Sequence, residues 1–552
     1  MSNETRTKKD DFILQGGILA IAAVITRIIG AVYRIPLSRI LGPEGGGFYG
    51  FAFEVYAIAL VITSFSFPIA ISKLVSSRIA IGQRENAYRV FKCSLVFATT
   101  LGLLVSLGIF FGASWIAGNI MNSPMSAYAL RVLAPGLLIV SIMSVLRGYF
   151  QGMGTMVPTG ISQVIEQIFN AIVSIVGALI LLRVGLGIAA ERQNELYAPA
   201  YSAAGGTLGT VAGALTGLIF LVMAFFAYRK KFFRKMKAEA SGVKESYSGI
   251  LKVLIMTLIP ITFSTAIYNI NVIMNLAIFN MVMVRQGYEE SAYMGLQGMF
   301  TIFVNPLINI PLALSAGMAA AVLPSLAATI ARERKGEIHG KINQAIRFTM
   351  LFAIPSFVGF VVLAWPIMLL LFGQTESTPG NLLAIGAIMV ILYSWVNVSN
   401  SILQGLNKMR EPVKNAAIAL VVHLIALLFM LIVLRWHVYA LVICNVIFAL
   451  CMCYLNNRSI RKYSGYKQEV ITTFAKPGIA SLVMGGIAFL IHQILYSLIG
   501  GVVIPTVCAL IIAFVIYVVC VLKFGTLSHE DILALPKGAK ILKAVQKLRL
   551  VP

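Results

Sequence analysis

Apolar runs of 18 or more residues follow one another along almost the whole chain, each closed by a short polar stretch. As helices, runs of that length cross roughly 30 Å of hydrocarbon. The pattern predicts about fourteen spans: 13–40, 48–75, 88–116, 126–150, 158–183, 200–228, 249–282, 296–330, 343–372, 381–404, 413–434, 437–456, 472–496 and 500–522. Membrane-crossing strands would show alternating segments of about ten residues, and the chain has none. The expected fold class is all-α, a polytopic membrane protein.

The longest polar interruption divides the spans into six, six and a final pair. This predicts an N-terminal lobe (1–228), a basic cytoplasmic linker (229–248), a C-terminal lobe (249–457), two last helices (470–524) and an amphipathic tail (525–552). In the tail, Ile541, Leu542, Val545 and Leu548 recur at helical spacing between lysines, the pattern of a helix lying on a membrane surface. The fourth span leaves through RGYFQGMGTMVP and the tenth through SILQGLNKMREP. Both carry Gln-Gly, a short turn and a proline opening the next span. With six spans per unit, such a repeat predicts lobes related by a pseudo-two-fold axis along the membrane normal.

Polar residues inside the spans recur at helical spacing. The fifth span carries Gln163, Glu166, Gln167, Asn170 and Ser174; the seventh Ser264, Tyr268, Asn271 and Asn275; the eighth Gln297, Thr301, Asn305 and Asn309; the tenth Tyr393, Asn397, Asn400 and Gln404. Unsatisfied polar groups cannot face lipid, so the stripes must face one another or water. They either glue helices together or line a polar path, and for the asparagines of the seventh and eighth spans the sequence leaves both open. Gln151 and Gln404, near span ends, suit the capping of a glycine turn.

Charge sharpens the picture. The chain is 59% hydrophobic and only 12% charged, with a net charge of +24. Thirty-six of its 44 Lys and Arg fall on alternate connections, five on the others and three inside spans. By the positive-inside rule both termini are cytoplasmic. The basic excess is thus topology and contact with anionic lipid, and no nucleic-acid partner is expected. Only two carboxylates, Glu54 and Glu166, lie well inside spans, against Arg27 and Arg34 in the first span and Arg131 in the fourth, with Arg147 near the cytoplasmic end of that same span. Arg27 and Arg34 stand seven residues apart and share a face. Two like charges with too few carboxylates to neutralise both suit an anionic guest, and the guanidinium fork suits phosphate oxygens. Glu166 could equally neutralise Arg147 or Arg27.

Other chemistries are not indicated. HExxH and P-loop patterns are absent, and the six cysteines read as packing residues in or near spans. His423 and His492 read as hydrogen-bonded helix contacts. The glycine-rich GPEGGGFYG (42–50) reads as a tight, flexible external turn. No cofactor, metal or enzymatic activity is expected, and energy would come from an ion gradient or the membrane potential.

The segments TRIIGAVYRIPLSRILG, FPIAISKLVSS and IMSVLRGYFQGMGTMVPTGISQVIEQI resemble the MurJ/SpoVB-type polysaccharide-lipid flippases of the multidrug/oligosaccharidyl-lipid/polysaccharide exporter superfamily, Gram-positive branch. The resemblance runs over the whole chain. It implies a two-lobed bundle with a central cationic cavity open alternately to either side, and a groove on the last two helices for a polyprenyl tail. The family's first-span basic residues fall on Arg27 and, shifted by one position, on Arg34. Further cavity arginines of the Gram-negative type are unmatched in the second and eighth spans, and a second-lobe sodium site lacks its carboxylates.

The expected function is export of an undecaprenyl-pyrophosphate-linked cell-wall precursor, lipid II, across the bacterial plasma membrane, with membrane lipids and other cell-wall synthesis proteins as partners. Arg27, Arg34 and Arg147 are the expected pyrophosphate ligands. Gln163, Asn170, Asn271, Asn275 and Asn305 are the expected contacts to the headgroup, and Glu54 and Glu166 the coupling or charge-balancing groups. Pro36, Pro158 and Pro260 are candidate bending points. The rival readings are a flippase for another polyprenyl-linked glycan, a drug/cation antiporter, a passive scramblase and a membrane-embedded glycosyltransferase.

Overall fold

The computed structural model describes residues 3–238, 244–331 and 335–526, and among these every element is helical. Among the described residues, twelve stretches are long and apolar enough to cross a membrane. One of them, Ala22–Ala80, has 59 residues, enough for two crossings, and the helix Tyr247–Arg285 adds two shorter apolar stretches. The fourteen expected spans are therefore approximately what folds. The tail from residue 527 onward lies outside the described residues.

The chain divides into two compact units, Met1–Ile302 and Phe303–Pro552. The first holds α1 (Asn3–Leu60), α2 (Phe67–Ala80), α3 (Arg84–Trp115), α4 (Ala127–Gly152), α5 (Val157–Arg192), α6 (Tyr197–Ala238), α7 (Tyr247–Arg285) and α8 (Glu290–Gly298). It thus runs past the 229–248 segment expected to divide the lobes. The start of α7 is held to this unit through Arg78, whose guanidinium grips Glu245 at 2.5 Å, and through Asn86, whose side chain accepts from the Glu245 amide at 3.0 Å. Half of the expected linker is not a loop either, because α6 continues into it as far as Ala238.

The first two expected spans form one helix with a break. Gly42 adopts φ 64°, ψ −179° directly before Pro43. Glycine supplies the positive φ, and a residue before proline is pushed out of the helical region. The helix resumes at once, so GPEGGGFYG is not the flexible turn its glycines suggest. Gly47 packs on the Met294 backbone and Gly298 on Pro43. Here glycine serves close approach of two backbones. A π-helical turn, Val61–Phe65, then joins α1 to α2.

A glycine seam fixes α5 against α6. Gly205, Gly209, Gly213 and Gly217 recur every fourth residue on α6, so they share one face. At Gly213 an added Cβ would stand 2.5 Å from the Glu166 carbonyl oxygen, and at Gly205 it would run into Gly177. Small residues at such spacing let membrane helices pack backbone to backbone.

The second unit holds α9 (Asn305–Ala331), α10 (Lys335–Val362), α11 (Ala364–Phe372), α12 (Ser377–Gly386), α13 (Ile388–Gly405), α14 (Arg410–Ile432), α15 (His437–Ser464), α16 (Lys476–Ile499) and α17 (Val503–Lys523). Its α13–α14 turn matches the α4–α5 turn of the first unit bond for bond. Gly154 N–H donates to Gln151 O and Thr155 N–H to Phe150 O, at 3.0 and 3.1 Å; Asn407 N–H donates to Gln404 O and Lys408 N–H to Leu403 O, both at 2.9 Å. Gly154 and Asn407 both take positive φ, the left-handed stop of a helix end. The Gln-Gly repeat is a repeated turn, made by the backbone rather than by the glutamine side chains.

Candidate functional site

The site is built on α1. Gly30 and Tyr33 turn toward α5: a Cβ on Gly30 would lie 3.2 Å from Gln167 Nε2, and Asn170 Nδ2 donates to Tyr33 Oη at 3.4 Å. Arg27 and Arg34 stand one helical step round from this packed face, and both side chains are exposed. Arg34 donates a hydrogen bond to Tyr33 and lies within electrostatic reach of Tyr49 and Glu54. The break at Gly42 makes this possible, since it folds the second half of α1 back beside the first.

Arg147 sits differently. Its guanidinium reaches Glu166 Oε2 at 2.7 Å and Ser162 Oγ at 3.1 Å, with the side chains of Arg147 and Glu166 only 15% and 26% exposed. Arg27, Arg34 and Arg147 thus share this unit with the two in-span carboxylates Glu54 and Glu166. Arg147 spends its fork inside the protein, while Arg27 and Arg34 keep accessible surface. Arg131, the other in-span base, donates to Ser114 at 2.7 Å and ties α4 to α3.

The α5 stripe is drawn into packing as well. Ser174 Oγ donates to Asn170 Oδ1 and to the Gly206 carbonyl, at 3.0 and 2.8 Å. Gln163 is half-buried, and its Oε1 has no hydrogen-bond partner. On α7, Asn271 and Asn275 are both buried, and Asn271 Oδ1 is unpartnered. Gln297 on α8 is fully buried with neither amide atom bonded. In the second unit, Asn305 is half-buried and Asn309 exposed.

The α13 stripe serves as glue. Asn456 Nδ2 on α15 donates to Ser399 Oγ and Asn400 Oδ1, at 2.9 and 2.8 Å, while Asn415 on α14 donates to Asn456 Oδ1 at 2.9 Å. The network continues through Ser459 to Glu411, which also accepts from Tyr463. His423 joins Cys444 O at 2.7 Å, the helix contact expected of it. His492 makes no such bond through Nε2. The six cysteines are free, and among the described residues no cluster could hold a metal ion.

Of the sequence-derived residues, the structure brings Arg34 to Glu54, Arg147 to Glu166 and Asn170 to Tyr33. Asn305 belongs to the second unit. Sequence reasoning missed Tyr33 and Tyr49 beside Arg34, and Asn415 and Asn456 within the second unit. It also missed the α6 glycine seam, although the four-residue spacing was visible in the sequence.

Residues 14–330, more than half of the chain, match the model of a family described as polysaccharide biosynthesis protein. The Bacillus subtilis (strain 168) protein named lipid II flippase MurJ is 26% identical over 422 residues, covering 74% of this chain and 75% of the relative. Stage V sporulation protein B of the same organism is 27% identical over 415 residues, covering 74% and 76%. A solved structure of lipid II flippase MurJ, in an inward closed conformation, matches with a TM-score of 0.64 at 14% identity, over 92% of this chain and 98% of that one.

Proposed function

The chain belongs to the polysaccharide biosynthesis protein family, and from that premise we propose that it is a flippase for an undecaprenyl-pyrophosphate-linked glycan, with lipid II as the cargo. The relative named lipid II flippase supports this reading. The observation that carries it is the α1 wall, where Arg27 and Arg34 share one face of a membrane helix and keep accessible surface. A drug/cation antiporter would need the opposite sign of charge there.

In this reading Arg34, oriented by Tyr33, and Arg27 hold the pyrophosphate oxygens. Glu54 faces Arg34 when no cargo is present and yields it to the substrate, so that the cavity is not left with an uncompensated charge. Arg147, occupied by Glu166, acts as a positioning residue that clamps α4 to α5. Asn271 and Asn275 contact the headgroup, while Gln163 and Asn170 support the wall from behind. Transport exposes this wall to one face of the plasma membrane and then the other, with Gly42 as the bending point instead of Pro36.

The test is depletion of the protein in its own cell, with lipid II in the outer leaflet measured by accessibility to an external label. Wild type restores export; Arg27→Ala and Arg34→Ala lower it at least tenfold at equal protein level, as expected for loss of a charge-assisted contact. If depletion leaves lipid II unmoved, lipid II is not the cargo. If both variants export normally, the cationic wall is not the binding site.

A further inference from the structure

A second candidate site lies within the second unit, where α16 meets the C-terminal end of α10 and the first turn of α12. A cavity of about 360 Å³ opens there, with Ser377, Asn381, His492 and Gln493 on its polar side and Val361 and Phe489 on its apolar side. None of the charged side chains lines it. His492 is 5% exposed, and its Nε2, although buried, has no hydrogen-bond partner. A buried imidazole nitrogen left unbonded costs free energy, so such a group at a cavity wall points to something it can bond. The N-terminus of α12 adds a second feature. Its N-cap residue, Glu376, makes no side-chain capping bond. The free amides of a first turn attract anions.

Depth in the membrane narrows the ligand class. The apolar stretch Ile471–Ile499 has 29 residues, roughly 43 Å as helix, close to a bilayer with its headgroups. His492 stands seven residues, about 10 Å, from the end of that stretch. It therefore lies within a few ångströms of the boundary between hydrocarbon and headgroups. Leu490, Ile494 and Leu498 beside it are more than half exposed, as lipid-facing residues would be. A ligand at this level has a polar head and an apolar chain.

We propose that this cavity binds the phosphate of a membrane lipid. The His492 Nε2–H, the Asn381 amide and the α12 first-turn amides donate to the phosphate oxygens, and Val361 and Phe489 cover the first methylenes of the chain. Neutral donors suffice because the helix terminus supplies partial positive charge without a basic side chain. The phosphate could be carried on a polyprenyl chain or on a glycerolipid; the chemistry recognised is the same.

The test uses the full-length protein in detergent, with retained lipid read by native mass spectrometry. The probes are undecaprenyl phosphate, phosphatidylglycerol and undecaprenol, which lacks the phosphate. At least one phosphate lipid should be retained about tenfold more than undecaprenol, and His492→Ala and Asn381→Ala should each remove most of that preference. Whichever phosphate lipid is preferred identifies the source. Asn381 is exposed on the surface of α12, so its variant keeps the test valid if His492→Ala fails to fold. Equal retention of undecaprenol, or wild-type retention by folded variants, would overturn the proposal. The assay reads binding and not export, so its failure leaves the flippase reading untouched.

Discussion

The polar stripes of α5 and α13 follow the same sequence rule and end in different chemistry. The α13 stripe is made of neutral groups: Asn400 joins Asn456 and Asn415 in a hydrogen-bond network across three helices, which runs on through Ser459 to Glu411 at the start of α14. The α5 stripe contains a carboxylate and faces an arginine, and its neighbouring helix α1 carries two more. Amides can donate and accept at once, so they satisfy one another inside a bundle. Guanidinium groups only donate, so they cannot satisfy one another as amides do. The contrast teaches that periodicity alone marks a buried polar face. The charge carried on that face separates a glued contact from the wall proposed to bind.

The comparison can be broken or sharpened by substitution. The largest effect is expected at the seam that holds α5 in place. Gly213→Leu drives a side chain into the Glu166 backbone and should abolish a folded, monodisperse protein, read by size-exclusion profile and yield. Next is the ion pair: Glu166→Ala leaves Arg147 half-buried without its partner and should cost about 3 kcal/mol, read as thermal unfolding in detergent. A double-mutant cycle with Arg147→Met should recover most of that loss, since removing both charges leaves none unpaired.

In the second unit Asn456→Leu removes three hydrogen bonds at roughly 0.6 kcal/mol each, about 2 kcal/mol in all, and should leave export at its wild-type rate once folded. A transport defect as deep as that of Arg34→Ala would erase the distinction between glue and wall.

The smallest effect concerns Glu469, between α15 and α16. Hydrogen bonds from Thr472 and from Asn343 hold its carboxyl below the ordinary range. A depressed folded-state value contributes stability that is present above the ordinary carboxyl pKa and lost as pH falls through the folded value. Mild acid should therefore lower the unfolding temperature slightly, and Asn343→Ala should weaken that dependence.

Much of the fold was legible because length and hydropathy are enough to define a membrane helix. The spans on α3, α4, α14, α16 and α17 lie within four residues of their predicted limits. The Gln-Gly turns were also readable, because helix ends need a left-handed residue wherever the chain reverses. What misled was glycine. At 45–47 it was read as flexibility, although in a helix the same residue allows another backbone to approach. For Arg147 the sequence offered both a ligand role and a pairing with Glu166, and the pairing is the contact that folds. Tyr33 and Tyr49 were passed over because their importance depends on the fold of α1 at Gly42. The charged wall itself was visible, since Arg27 and Arg34 share a face by spacing alone.

The length of α6 carries a mechanical consequence. The helix runs unbroken from Tyr197 to Ala238, about 63 Å at 1.5 Å per residue. That is about twice the roughly 30 Å of hydrocarbon that a span has to cross. The glycine seam holds part of this length backbone to backbone against α5. Two rods joined in that way tilt as one beam, so any lean of α6 is also a lean of the helix bearing Glu166 and Asn170.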